Sequence, residues 1–165
     1  MYFEYIYFIG PNKCNVNTSF EGGLMRLTQY TDYALRVLLY LSRYPDRLCS
    51  IAEIATAYGI SKNHLMKIIN DLVNAGYLVS VRGRNGGVRL GRAPDQINIG
   101  ALIRHTEDGF DLVGCGHCII APACGMTSVF DEALAGFMAV LDRYTLADAL
   151  ARKGDFLPLL NAVRD

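Results

Sequence analysis

The chain has 165 residues, 52% of them hydrophobic and 19% charged, and its 16 basic and 16 acidic side chains balance to a net charge of zero. That composition gives ample material for a core and excludes a disordered chain, and no apolar run reaches the roughly 18 residues of a membrane helix. The zero total hides an asymmetry: residues 25–92 hold ten Lys/Arg against four Asp/Glu (+6), residues 93–165 five against ten (−5), and residues 1–24 one against two (−1), so the first half points to a polyanion partner.

The opening stretch, "MYFEYIYFIG", is apolar, and its first basic residue, Lys13, comes after it. A signal peptide has the reverse order, so the expected compartment is the cytoplasm, where thiols stay reduced. Residues 1–24, with Cys14, read as a start-site extension or loose tail, because helical patterning begins only at Met25.

From Met25 the chain reads "MRLTQYTDYALRVLLYLSRYP". Leu35, Val37, Leu38, Leu39 and Leu41 predict a largely buried helix, with Thr31 as its cap, Asp32 in its first turn and Pro45 as its stop. A short helix follows, capped by Ser50 and carrying Ile51, Ile54 and Ala55, and Gly59 breaks it. Cys49 beside its cap reads as a small packing residue.

Ser61 then caps another helix. Leu65, Ile68, Ile69, Leu72 and Val73 form its apolar stripe, and Gly76 ends it in a left-handed turn. Its opposite face carries Lys62, Asn63, His64, Lys67 and Asn70. A short helix, a glycine turn and a helix with a polar, basic face form the helix-turn-helix pattern. Amides and cations near the start of the second helix suit base edges in the major groove.

Next, "YLVSVRGRNGGVRLGR" predicts a two-stranded hairpin, with Leu78, Val79 and Val81 on one strand and Val88 and Leu90 on the other. It carries Arg82, Arg84, Asn85, Arg89 and Arg92. A basic hairpin after a reading helix is the wing of a winged helix, able to reach phosphates or the minor groove. The candidate DNA contacts are Ser61, Lys62, Asn63, His64, Lys67, Arg82, Arg84, Asn85 and Arg89.

A short helix is expected from about Gly100 to Glu107, closed by Gly109. The loop "GCGHCIIAPAC" follows, with the spacing Cys115-x2-Cys118-x5-Cys124. Zinc would need His117 as a fourth ligand, which crowds three ligands into four residues. Three thiolates with an open position suit an iron–sulfur cluster whose last ligand comes from elsewhere. A dithiol pair at Cys115 and Cys118 lacks the thioredoxin context. From Met126 a long helix is expected over about five turns, with Phe130, Ala133, Leu134, Phe137, Met138 and Leu141 on its apolar side. Its excess of apolar surface reads as a dimerisation element. No nucleophile, base and orienting group occur together, so the reading is not an enzyme.

The division expected is a tail at 1–24, a DNA-binding domain at 25–99, a short helix and cysteine loop at 100–125, and a dimerisation helix with a C-terminal tail at 126–165. The fold class is mainly α, a winged helix-turn-helix.

Between Met25 and about Asp148 the stretches "MRLTQYTDYALRVLLYL", "GISKNHLMKIINDLVNAGYLVSVRGRNGGVRLGR", "CIIAPAC" and "LDRYTLADAL" resemble the iron–sulfur winged-helix repressors of the IscR/NsrR type, nearest the nitric-oxide-sensitive NsrR branch. The resemblance implies a homodimer on a palindromic double-stranded DNA operator. It implies one cluster per subunit, with Cys115, Cys118 and Cys124 as thiolate ligands. In the nitric-oxide-sensing branch an aspartate of the first helix of the other subunit completes a 4Fe–4S site, and Asp32 falls on that position. The IscR branch has a histidine three residues after the last cysteine, where this chain has Thr127, so 4Fe–4S is favoured over 2Fe–2S. The x2 gap after Cys115 is shorter than either branch has. The implied behaviour is loss of the cluster to nitric oxide, weaker operator binding, and derepression of nitric-oxide detoxification or denitrification genes. Alternatives are the same fold sensing iron or cluster supply, and a zinc-stabilised nucleic-acid or interaction module.

Overall fold

Thr28 starts the first helix. In the computed structural model, which describes residues 26–110, 112 and 118–152, α1 runs Gln29–Ser42, and the Thr28 side chain accepts from the Thr31 amide at 3.3 Å. The sequence places this cap at Thr31. The structure puts Thr31 a turn inside the helix and fully buried, because its hydroxyl is taken by Thr106 and Glu107 from far along the chain. Asp32 keeps its first-turn place, where a carboxylate favours the positive end of the helix dipole. Val37, Leu38 and Leu41 are buried, while Leu35 and Leu39 are half-covered.

Helix α2 (Ile51–Tyr58) is capped by Ser50, whose hydroxyl accepts from the Glu53 amide. Gly59 closes it at φ +63°, a backbone region that favours glycine. Helix α3 (Lys62–Asn74) begins after Ser61 and buries Leu65, Ile68, Ile69 and Leu72. Gly76, at φ +75°, ends it: the Gly76 amide bonds the Val73 carbonyl and the Tyr77 amide the Leu72 carbonyl, the Schellman pair. These helices form one core with Ile97, Leu102 and Leu146.

The hairpin is β1 (Leu78–Val81) against β2 (Gly87–Leu90), antiparallel, with Leu78 opposite Leu90 and Val81 opposite Gly87. Of β1 only Leu78 is buried; Val79 and Val81 face solvent, so the apolar strand pattern does not mark a buried face here. Cys49 exchanges both backbone bonds with Val88 at 2.9 Å and ties the hairpin to the chain before α2.

Helix α4 (Ile99–Thr106) is capped by Asn98, and α5 spans Met126–Leu141. A further helix, α6 (Leu146–Ala151), lies where the sequence suggests only a tail. Thr145 and Asp148 form its capping box, and Leu146 is fully buried in the common core. The chain turns between α5 and α6 because Asn98 donates to the Asp142 carbonyl at 2.7 Å and Ile99 to the Tyr144 carbonyl at 2.9 Å. Arg104 also grips Asp142 with both terminal nitrogens, at 2.5 and 2.7 Å. Among the described residues no helix is long and apolar enough to cross a membrane. Residues 1–24, Met25, Cys115, His117 and the tail from 153 lie outside the described residues.

Candidate nucleic-acid interface and cysteine loop

The buried stripe of α3 fixes which way the helix faces. Lys62, Asn63, His64, Lys67 and Asn70 lie opposite it and are exposed. Ser61 stands at the cap position but makes no capping bond, unlike Thr28, Ser50 and Asn98. The first turn of α3 carries no acid, so nothing there repels a phosphate.

Arg82, Arg84 and Asn85 are exposed at the hairpin tip, and Arg89 is exposed on β2. Arg92 departs from the sequence reading, which groups it with the hairpin cations. Its Nε donates to the Gly76 carbonyl at 3.0 Å and its Nη2 to the Ala75 carbonyl at 2.9 Å. The guanidinium also lies 4.9 Å from the Tyr77 ring centre. It occupies the otherwise unmet carbonyls at the end of α3 and is a clamp between hairpin and helix.

Three α1 residues adjoin the reading face and are not evident in the sequence. Gln29, Tyr30 and Tyr33 line one groove with His64 and Lys67. The Gln29 amide donates to the Tyr33 hydroxyl at 2.8 Å. Nothing local marks these residues, since α3 begins more than 25 residues later in the chain.

Toward the C-terminal end of α3, three helices meet through side chains. The Tyr30 hydroxyl of α1 donates to Asp71 Oδ2 of α3 at 2.9 Å. His105 Nε2 of α4 lies 2.9 Å from the same oxygen. Burial, then the Asp71 carboxylate, push the Tyr30 phenol up to about 12, so it stays a donor at neutral pH. Glu107, just past α4, accepts from the Thr28 amide at 2.7 Å, the Thr28 hydroxyl at 3.0 Å and the Thr31 hydroxyl at 2.5 Å.

Residues 118–124 form a tight loop beyond this junction. The Ala121 amide bonds the Cys118 carbonyl at 3.1 Å, and the Cys124 amide bonds the Ala121 carbonyl at 3.2 Å across a single 3₁₀ turn, Ala121–Ala123. Cys118 is exposed, Cys124 is half-buried, and both are free thiols. Ile119 and Ile120 between them are 95% and 61% exposed, far beyond what a packed loop leaves uncovered. Accessible thiols on one backbone-braced loop are the donor chemistry of an iron–sulfur cluster. Among the described residues no set of three His, Cys, Asp or Glu comes together as a metal site. Asp32 does not come together with Cys118 and Cys124 as such a set, and Arg36 holds both its oxygens, at 3.1 and 2.8 Å. Cys49 is fully buried, and burial pushes its thiol above the ordinary value, as expected of a packing residue.

Helix α5 buries only Met138. Met126, Val129 and Val140 are 54%, 51% and 43% exposed, an apolar surface that the described residues leave uncovered.

The profile of the Rrf2 family, described as an iron-dependent transcriptional regulator, matches residues 27–152. The HTH-type transcriptional regulator NsrR of Bacillus licheniformis is 50% identical over 143 residues, spanning 83% of this chain and 100% of that protein. NsrR of Bacillus subtilis is 50% identical over 142 residues, spanning 82% and 97%. Among solved structures, T. potens IscR superposes with a TM-score of 0.64 at 28% identity, covering 79% of this chain and 93% of that one. CymR, the global cysteine regulator of B. subtilis, superposes with a TM-score of 0.61 at 25% identity, covering 79% and 100%. A winged helix-turn-helix with an exposed basic reading face, free loop thiols and these relatives leads to one conclusion: the chain belongs to the Rrf2 family of iron-dependent transcriptional regulators, and it is a DNA-binding regulator, not an enzyme.

Proposed function

We propose that the chain is a nitric-oxide-responsive repressor that binds a palindromic operator as a homodimer carrying an iron–sulfur cluster. The observation that carries this reading is the pairing of an exposed, basic α3 face with accessible thiols on a loop whose stem is bonded to α1 and α3. The name NsrR, borne by relatives 50% identical, supports nitric oxide as the signal.

Residues 25–99 form the DNA-binding domain, 100–125 the short helix and cysteine loop, and 126–165 the dimerising part. Asn63 and His64 read bases, Ser61, Lys62 and Lys67 hold phosphates at the groove edge, and Arg82, Arg84, Asn85 and Arg89 hold the flanks. The exposed Met126, Val129 and Val140 of α5 meet their copies across a two-fold axis, which matches the symmetry of a palindrome.

Cys115, Cys118 and Cys124 hold the cluster, and Asp32 of the partner subunit completes it as a 4Fe–4S site. To do so, Asp32 exchanges its ion pair with Arg36, an exposed pair of small net worth. When bound, the cluster supplies thiolate-held iron with which nitric oxide reacts. The remaining steps belong to the chain: the freed loop loosens its stem at Glu107 and His105, α3 shifts, and the two reading helices no longer match their grooves.

Native mass spectrometry of the anaerobically purified protein tests this. A dimer with four irons and four sulfides per chain, altered by nitric oxide, is expected. A zinc-sized increment indifferent to nitric oxide would refute the sensor. The family's iron-dependent description favours a second reading, sensing of iron supply. Iron chelation and nitric oxide, applied separately to the loaded dimer on operator DNA, distinguish the two.

A further inference from the structure

We propose that Asp71 is a positioning residue, the carboxylate through which the cysteine loop sets the pose of the reading helix. This rests on the reading above, in which the state of the loop governs DNA affinity. Two paths lead from the loop stem to one atom. His105, in the last turn of α4, reaches Asp71 Oδ2 directly at 2.9 Å. Glu107, one residue past that turn, grips Thr28 and Thr31, which flank Tyr30 on α1, and the Tyr30 hydroxyl reaches the same Asp71 Oδ2 at 2.9 Å. The second path includes the helix that carries Asp32, so an event in either subunit's loop arrives at this oxygen.

Asp71 is suited to steer rather than to hold. The apolar stripe Leu65, Ile68, Ile69 and Leu72 already seats α3 on the core. Asp71 stands at the far end of α3 from Asn63 and His64, and one turn beyond Lys67, so a small displacement there tilts the whole rigid helix. His105 also lies 5.8 Å, ring to ring, from Tyr77, on which Arg92 stacks while bonding the end of α3. The junction thus touches both reading elements, the helix and the base of the hairpin.

The test compares Asp71→Ala, Asp71→Asn and His105→Gln with the unaltered dimer, each with cluster and without. Operator affinity is measured in both states, along with amide hydrogen exchange in α3. The unaltered protein is expected to bind about 5- to 150-fold more tightly when loaded, the usual range of allosteric coupling, and to protect the C-terminal amides of α3 on loading. Asp71→Ala is expected to bring that ratio to within about twofold of unity and to abolish the protection. Asp71→Asn, which still accepts from Tyr30, is expected to restore part of both. His105→Gln alters only one path from a half-exposed position and is expected to fall between. An unaltered ratio and unaltered protection in both Asp71→Ala and His105→Gln would overturn the assignment while leaving the sensor intact. Equal affinity of the two states in the unaltered protein would overturn the sensor reading and the assignment with it.

Discussion

Thr31 Oγ1 donates to Glu107 Oε1 at 2.5 Å, joining the buried first turn of α1 to the residue that follows α4, on the way to the cysteine loop. The contact spans 76 positions of sequence. It makes the loop stem part of the DNA-binding core rather than an appendage. Glu107→Ala leaves the Thr28 amide and one Thr31 bond unmet and is expected to lower stability by about 1–3 kcal/mol. Glu107→Gln keeps an acceptor and is expected to lose less than half of that. Urea unfolding of the two variants checks this, and equal losses would show that the Thr31 contact carries no weight.

The hairpin arginines are expected to separate into two kinds. Arg82→Ala, Arg84→Ala and Arg89→Ala are expected to leave stability within about 0.5 kcal/mol and to lower the salt slope of DNA binding by about one each. Arg92→Ala is expected to do the reverse, losing about 1–2 kcal/mol of stability with an unchanged salt slope, because its donors are spent on the end of α3. Thermal melts and operator titrations across a salt series read both quantities.

Asp32 pairs with Arg36 one turn along an exposed helix face, an interaction of about 0.3–0.5 kcal/mol. Asp32→Ala is therefore expected to barely move the melting temperature of the cluster-free protein. Iron retained per chain after anaerobic gel filtration should fall clearly if Asp32 of the partner subunit is a ligand. Undiminished iron would remove Asp32 from the ligand set.

Acid should expose the ion pair between Arg47 and Glu53. The Arg47 guanidinium, bonded at 2.5 and 3.1 Å, is the main cause holding the Glu53 carboxyl below its ordinary value of 4.5, with Tyr40 donating as well. A carboxyl depressed in the folded state stabilises the fold above its unfolded value and stops doing so as pH falls through the folded one. The stability gap between the unaltered chain and Glu53→Gln should be constant above 4.5 and should close below it. Denaturant midpoints from about pH 7 to pH 3 measure the gap; a gap that persists at the acid end would contradict the pairing.

Much of the reading machinery is legible in sequence because its determinants are local. The α3 stripe repeats every three to four residues, Ser50 caps the helix immediately following it, and Gly59 and Gly76 stand where the backbone turns left-handed. What escapes the sequence is set by distant partners. Thr31 and Thr28 are equally good caps by type; Thr106 and Glu107 decide between them. Arg92 looks like a fourth hairpin cation until the end of α3 meets it. Helix α6 is too short to announce itself by periodicity, and only its seat against Ile97 and the core makes it stable. Asp71 is one more polar residue on a helix until Tyr30 and His105 converge on it.

The central claim is that the loop thiols, through a bound cluster, control the affinity of α3 and the hairpin for DNA. The most direct measurement is operator affinity, at one fixed salt concentration, of the same anaerobic cluster-loaded dimer before and after nitric oxide. The expected result is tight binding before exposure and binding about 5- to 150-fold weaker afterwards, with the protein still folded and dimeric. Equal affinity before and after, with the cluster demonstrably altered, would contradict it.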